Sequence, residues 1–195
     1  MSTIQANGSL NLTKGERVDL TKTNPGLKLA AVGLGWDANG GTSSAFDLDA
    51  FAIALSAGKA VVPGLAGVCY FNNKKLLNSI ETLGDNLTGV GAGDDETIIV
   101  NLATVPPNVD EILVCVNIYE AASRRQNFGM VNNAFIRIYD KDTNQEIMKF
   151  DLSEDYSSFN GMIMGKLYKK DAEWKFQAVG QGVNGDIAAI VASYQ

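Results

Sequence analysis

The sequence contains no histidine, and only two of its 195 residues are cysteine. The missing histidine removes the most common general base and the most common transition-metal ligand of proteins. Cys69 and Cys115 lie far apart in apolar runs and fit neither a CxxC pair nor a zinc-binding spacing. We therefore expect two buried free thiols and neither histidine-based catalysis nor a zinc site.

The chain also lacks a long apolar run and an excess of basic residues. No run approaches membrane-spanning length, and residues 1–8 lack the basic-then-apolar order of a secretion signal. The net charge of −6 and the pI near 4.6 argue against nucleic acid or an anionic membrane as the main partner. These absences predict a soluble, cytoplasmic protein that neither inserts into a membrane nor binds nucleic acid.

The pattern of apolar residues predicts a mostly β fold. About ten short strands follow one another, separated by Gly, Pro and Asn turns, which is typical of an antiparallel β-sandwich of two sheets. The nearly continuous apolar run Glu111–Tyr119 predicts a central strand covered on both faces. Short helices are predicted over Glu120–Arg125 and Asp186–Tyr194, and a long loop with four glycines over Ser79–Glu96. Because no segment has the composition of a linker between domains, we expect one domain over residues 1–195.

The segment Ala45–Phe51, A-F-D-L-D-A-F, carries the first chemical signal. Asp47 and Asp49 are two residues apart, so on a strand their side chains share one face. Like charges at that distance raise each other's pKa unless a positive group lies between them. Since no Lys or Arg occurs between Lys28 and Lys59, a bound cation is the expected partner of the two carboxylates.

Two further segments carry oxygen ligands, Gly35–Asp37 and Gly84–Glu96. The second reads G-D-N-L-T-G-V-G-A-G-D-D-E, and its glycines allow the backbone to fold around an ion. A carboxylate-rich site without histidine favours calcium, which takes about six to eight oxygen ligands. The spacing is not that of an EF-hand, so the ligands are expected to come from separate segments of the β scaffold.

Three other functions were weighed for these motifs: dinucleotide binding, hydrolysis and the binding of a small ligand. Gly33-x-Gly35-x-x-Ala38 matches a dinucleotide-binding pattern, but a loop sequence follows where a helix is required. A hydrolase with paired carboxylates is a weaker alternative, because no aromatic residues that would stack on a sugar flank Asp47 and Asp49. A binder of a small ligand, a nucleotide or an oxyanion bridged by the metal, stays open. Trp36 and Trp174 are expected to be core residues.

The motifs G-L-G-W-D, F-D-L-D-A, G-D-N-L-T-G-x-G-x-G-D-D-E, N-x-Y-E, N-F-G, N-A-F-I-R and W-K-F-Q-A-V-G-Q-G occur in this order along nearly the whole chain. Together they resemble the TerD family of tellurite-resistance and general stress proteins. The resemblance implies a calcium-binding, cytoplasmic β-sandwich of bacteria that is linked to resistance to tellurite and other stresses. Of the functions considered, we expect a non-catalytic interaction module that the metal stabilises. It also implies partners, namely other Ter proteins and a TerC-like membrane protein.

Carried over residue by residue, the resemblance gives a set of metal-ligand candidates. They are Asp37, Asp47, Leu48, Asp49, Asp85, Asn86, Gly91, Asp94, Asp95, Glu96 and Glu120. Ala92 takes a position where the family often has an aspartate, which removes one carboxylate. The expected number of calcium ions is therefore one or two, with the second ion weakened or absent.

Overall fold

The computed structural model describes residues 3–5, 8–37, 46–84, 93–152 and 156–195. These residues form two sheets with few short helices, which confirms the predicted β-sandwich. The strands are β1 (Thr3–Ile4), β2 (Leu10–Asn11), β3 (Arg17–Asp19), β4 (Leu29–Asp37), β5 (Leu48–Ser56), β6 (Lys59–Ala60), β7 (Val68–Cys69), β8 (Lys75–Leu76), β9 (Ile80–Thr82), β10 (Glu96–Asn101), β11 (Glu111–Ile118), β12 (Asn132–Asp140), β13 (Glu146–Asp151), β14 (Gly161–Lys170) and β15 (Glu173–Val183).

Sheet A has the strand order β1-β2-β13-β12-β4-β10-β9-β8, and sheet B has the order β3-β15-β14-β11-β5-β6, with β7 also on β5. The pairs are antiparallel except β2 with β13, which run parallel. β11 lies between β5 and β14, as its continuous apolar sequence predicts. Such a strand is buried on both faces, so it cannot show the alternation of a half-exposed one.

Alternation along β5 separates two apolar layers. Leu48, Ala50, Ala52 and Ala54 pack between the sheets, in one cluster with residues of sheet A. Phe51, Ile53 and Leu55 point to the outer face of sheet B, where helix α2 (Ile187–Ala192) covers them. Asp49 has the same parity, so it belongs to this outer face and not to the space between the sheets.

The buried residues include those that the sequence singled out. Trp36 and Trp174 are 4% and 3% exposed, which confirms them as core residues. Cys69 and Cys115 are buried free thiols, also as predicted. No helix of the described residues is long and apolar enough to cross a membrane.

Two predicted elements differ in detail from the structure. The long loop predicted over Ser79–Glu96 is wrong at its start, where β9 pairs with β10. A strand of three residues, with only its first and last side chains buried, is too short to be recognised by periodicity. The helix predicted over Glu120–Arg125 is α1 (Ala121–Arg124), because Glu120 and Arg125 adopt left-handed backbone conformations that end it on both sides.

Candidate functional site

Three acidic segments that are distant in sequence meet at one end of the sandwich. β4 ends at Asp37, and β10 begins beside it, where the N–H of Trp36 donates to Oδ2 of Asp95 at 3.0 Å. The N–H of Ala50 on β5 donates to Oε2 of Glu96. This second hydrogen bond joins the start of β5 in sheet B to the start of β10 in sheet A. We call this region, formed by Asp37, Asp47, Asp49, Asp95 and Glu96, the acidic end.

Three carboxylate side chains of the acidic end are buried. Asp47 is 8% exposed, and Asp49 and Glu96 are each 3% exposed. Burying an ionised carboxylate costs several kcal/mol, on the order of the whole stability of a domain, unless positive charge and hydrogen bonds compensate. Asp37 differs, since it is exposed and accepts a hydrogen bond of 2.6 Å from Nδ2 of Asn133.

Asp94 has a different environment from its two neighbours. Its side chain is 6% exposed, and its two oxygens accept from Nε and Nη2 of Arg137 at 2.7 and 3.0 Å. The carboxylate occupies the space that a Cβ on Gly33 would need, which places it over the outer face of sheet A. The hydrogen bond with Asp94 is the main cause that raises the pKa of Arg137. Asp94 is therefore neutralised by an arginine and directed away from Asp49.

The other candidate ligands fall into three groups. Glu120 is half-exposed and pairs with Arg124 at 3.5 Å. Leu48 is fully buried between the sheets, so only its backbone carbonyl could serve a metal. Asp85, Asn86 and Gly91 lie outside the described residues, as does Ala92.

The described residues supply oxygen donors that suit a hard cation, but they do not form a complete coordination shell by themselves. Carboxylate oxygens are the ligands that calcium prefers, and three such groups are buried at the acidic end. Within the described ranges, no group of three or more His, Cys, Asp or Glu side chains is arranged to hold a metal ion. A complete shell would need donors from elsewhere, and the ligand assignments stay predictions.

Sequence reasoning missed a cavity next to the acidic end. It has a volume of about 590 Å³ and lies on the outer face of sheet B, between α1, α2 and the segment 70–72. Asp49 and Asn117 line its floor and are directly paired across β5 and β11. A signal for it existed, because Asn117 is the lone amide in the apolar run of β11.

Comparisons with known proteins agree with this architecture. A sequence model of the TerD domain matches residues 9–194. General stress protein 16U of Bacillus subtilis (strain 168) is 47% identical over 191 residues, which are 95% of this chain and 97% of that protein. Tellurium resistance protein TerD of an Alcaligenes species is 45% identical over 187 residues, with coverage of 95% and 97%.

A solved structure shows the same fold. The crystal structure of a Streptomyces coelicolor A3(2) homologue of telluride resistance protein (TerD) superposes with a TM-score of 0.70 at 21% identity. The match covers 85% of this chain and 96% of that chain. From the domain match and from the relatives that cover nearly the whole sequence, the chain belongs to the TerD family of stress-response and tellurium-resistance proteins.

Proposed function

We propose that the chain is a calcium-binding, non-catalytic stress protein whose acidic end becomes an interaction surface when the ion is bound. One observation carries the proposal, the burial of Asp47, Asp49 and Glu96 where three strand ends meet. The sequence around them supplies no local cation, because no Lys or Arg occurs between Lys28 and Lys59 or between Lys75 and Arg124.

Within this proposal the residues have different roles. Asp47, Asp49 and Glu96 would hold the ion with the predicted donors Asp85, Asn86 and Gly91, while Asp37 and Asp95 lie on the neighbouring segments. Bound calcium supplies the positive charge that makes a group of buried carboxylates tolerable. The hydrogen bonds from Trp36 and Ala50 keep Asp95 and Glu96, at the start of β10, next to β4 and β5.

The surface formed at the acidic end would serve docking to other proteins. In keeping with the family resemblance, the proposed partners are other Ter proteins and a TerC-like membrane protein, met in the cytoplasm. The oxyanion or nucleotide alternative finds less support, because the charged described residues that line the cavity beside the acidic end are Asp49, Glu120 and Asp186. An anionic ligand would be repelled there.

Thermal unfolding with calcium and with a chelator tests the proposal. At a calcium concentration about a hundred times the Kd, we expect a rise in Tm of about 5–10 °C relative to chelator. Isothermal titration of the metal-free protein gives the number of ions. An unchanged Tm at millimolar calcium, with no heat of binding, would contradict the proposal.

A matched pair of variants connects the effect to the acidic end. Asp47→Asn should abolish most of the calcium-induced rise in Tm, while Asp151→Asn, an exposed aspartate on β13, should leave it unchanged. If Asp47→Asn instead removed a hydrolytic activity and kept the calcium response, the carboxylate-dependent hydrolase would be the better description.

A further inference from the structure

We propose that Asn117, on β11, supplies its side-chain oxygen as a ligand to the calcium ion of the acidic end. The inference rests on the proposed function, because it needs the ion, and it adds a neutral ligand that the acidic motifs do not contain. It also sets the ion beside the cavity on the outer face of sheet B, whose lining includes both Asn117 and Asp49.

The amide of Asn117 is buried in a strand that is otherwise apolar. β11 lies between β5 and β14, and residues 112–116, which precede Asn117, are all apolar and buried. Asn117 is itself 4% exposed, and among the described residues its buried Oδ1 has no hydrogen-bond donor. Buried polar atoms of native proteins are bonded in the great majority of cases, so this oxygen indicates a partner from outside the described residues.

The strand register brings Asn117 to the acidic end. Asn117 is directly opposite Asp49 in the antiparallel pair of β5 and β11. Side chains of directly opposite residues share one face of the sheet, with Cβ atoms about 4.5–5.5 Å apart. The pairing continues beyond the start of β5, because the N–H of Tyr119 donates to the carbonyl of Asp47 at 2.8 Å. Asn117 is therefore a polar neighbour, on β11, of the segment that carries Asp47 and Asp49.

The chemistry of an amide oxygen suits calcium at this position. Calcium takes about six to eight oxygen ligands, and side-chain amides are among them. Asn117 adds an oxygen without adding negative charge to a region where Asp47, Asp49 and Glu96 are already buried. A fourth carboxylate would raise the pKa values of its neighbours, whereas an amide does not. A neutral ligand therefore helps to fill the coordination shell at the least electrostatic cost.

Ser79 also has a buried oxygen without a partner among the described residues, but it lies away from the acidic end. The residue is 4% exposed, and its Oγ is the unpartnered atom. The N–H of Asn101 donates to the carbonyl of Ser79 at 2.8 Å, which places Ser79 beside the last residue of β10, whereas Glu96 is the first. No carboxylate is paired opposite it as Asp49 is opposite Asn117, so Ser79 provides a matched control.

Terbium(III), a luminescent ion that replaces calcium at oxygen sites, tests the assignment on the full chain. Its emission lifetimes in light and heavy water give the number of water molecules bound to the ion. Asn117→Leu should raise this number by about one, because water replaces the lost amide oxygen. The same variant should weaken calcium binding about tenfold or more in isothermal titration. Ser79→Ala should change neither quantity.

A second variant, Asn117→Asp, provides the test if Asn117→Leu does not fold. It keeps an oxygen at the same position and adds a negative charge opposite Asp49. The added charge should lower Tm in chelator, and calcium should bind at least as tightly as it does to the wild type. The calcium-induced rise in Tm should therefore be larger than in the wild type.

The outcomes separate the role of Asn117 from the calcium site as a whole. If the wild type bound neither calcium nor terbium, both proposals would be overturned. If the wild type bound both ions and Asn117→Leu left the affinity and the number of bound waters unchanged, calcium binding would stand and the role of Asn117 would be overturned. A calcium-induced rise in Tm of Asn117→Asp no larger than that of the wild type would also overturn that role.

Discussion

The acidic segments at the starts of β5 and β10, Asp47–Asp49 and Asp94–Glu96, look alike in sequence and differ in the structure. At the start of β10 the three carboxylates are consecutive, and each has a different environment. Asp94 contacts Arg137, Asp95 accepts from the N–H of Trp36, and Glu96 accepts from the N–H of Ala50. At the start of β5 the spacing of two residues predicts that the Asp47 and Asp49 side chains share one face, by the alternation of an extended chain. The spacing of acidic residues therefore decides whether they gather or separate.

The largest effect should come from removing the cation that separates Asp94 from the others. Arg137→Met leaves the Asp94 carboxylate, 6% exposed, without its bidentate partner. We expect the free energy of unfolding to fall by about 2–4 kcal/mol, with calcium and with chelator alike. Urea unfolding measures it.

The exposed Arg125 provides the control for that change, and Arg125→Met should alter stability by less than about 0.5 kcal/mol. If Arg137→Met lowered the free energy of unfolding only in chelator, the pair of Arg137 and Asp94 would belong to the metal site. The starts of β5 and β10 would then no longer differ.

The second-largest effect compares one aspartate from the start of β10, Asp94, with one from the start of β5, Asp49. Asp94→Asn should cost about 1–2 kcal/mol in both conditions, because one charge-assisted bond to Arg137 is lost, and it should keep the calcium response. Asp49→Asn should abolish the calcium response, because it removes one of the carboxylates proposed to bind the ion. Calcium titrations followed by Tm provide the comparison.

The opposite result for Asp94 would be informative. If Asp94→Asn abolished the calcium response, Asp94 would be a ligand, as the family resemblance predicts, and Arg137 would have to release it on binding.

The smallest effect concerns the thiols beyond the acidic end. Cys69 and Cys115 lie opposite Ala52 and Phe51 on β5, and burial raises both thiol pKa values, that of Cys69 to about 12. Thiol-specific labelling at pH 8 should modify neither cysteine in the native chain, with or without calcium. Labelling in chelator alone would show that the calcium effect extends along β5.

The effect of the buried Cys69 thiol on the free energy of unfolding depends on pH, and its sign follows from the direction of the pKa shift. The folded-state pKa of Cys69 is above the unfolded value of 9.0, because burial disfavours the thiolate. Its contribution to stability is therefore present below pH 9.0 and is lost as the pH rises towards about 12. Urea unfolding between pH 8 and pH 11 should show a gradual decline, and Cys69→Ala should reduce its slope.

Most of the fold and part of the site could be predicted because their signals are local. Turn residues between short apolar segments predicted the sandwich, and a continuous apolar run predicted β11. The acidic motifs marked the three segments that meet at the acidic end. The pairing of Asp94 with Arg137 could not be predicted, since 43 residues separate them and only the sheet register brings them together. The cavity at Asn117 was missed for the same reason, because its walls come from α1, α2 and the segment after β7.

The sequence by itself determined the two-sheet architecture, the core tryptophans, the buried thiols and the TerD family, because side-chain periodicity and motif order are properties of neighbouring residues. The tertiary structure alone decided which acidic side chain faces an arginine, which meets a backbone N–H, and which lies beside the cavity. Those outcomes depend on strand register and on which face of a sheet each residue reaches, and a shift of one residue would reverse them.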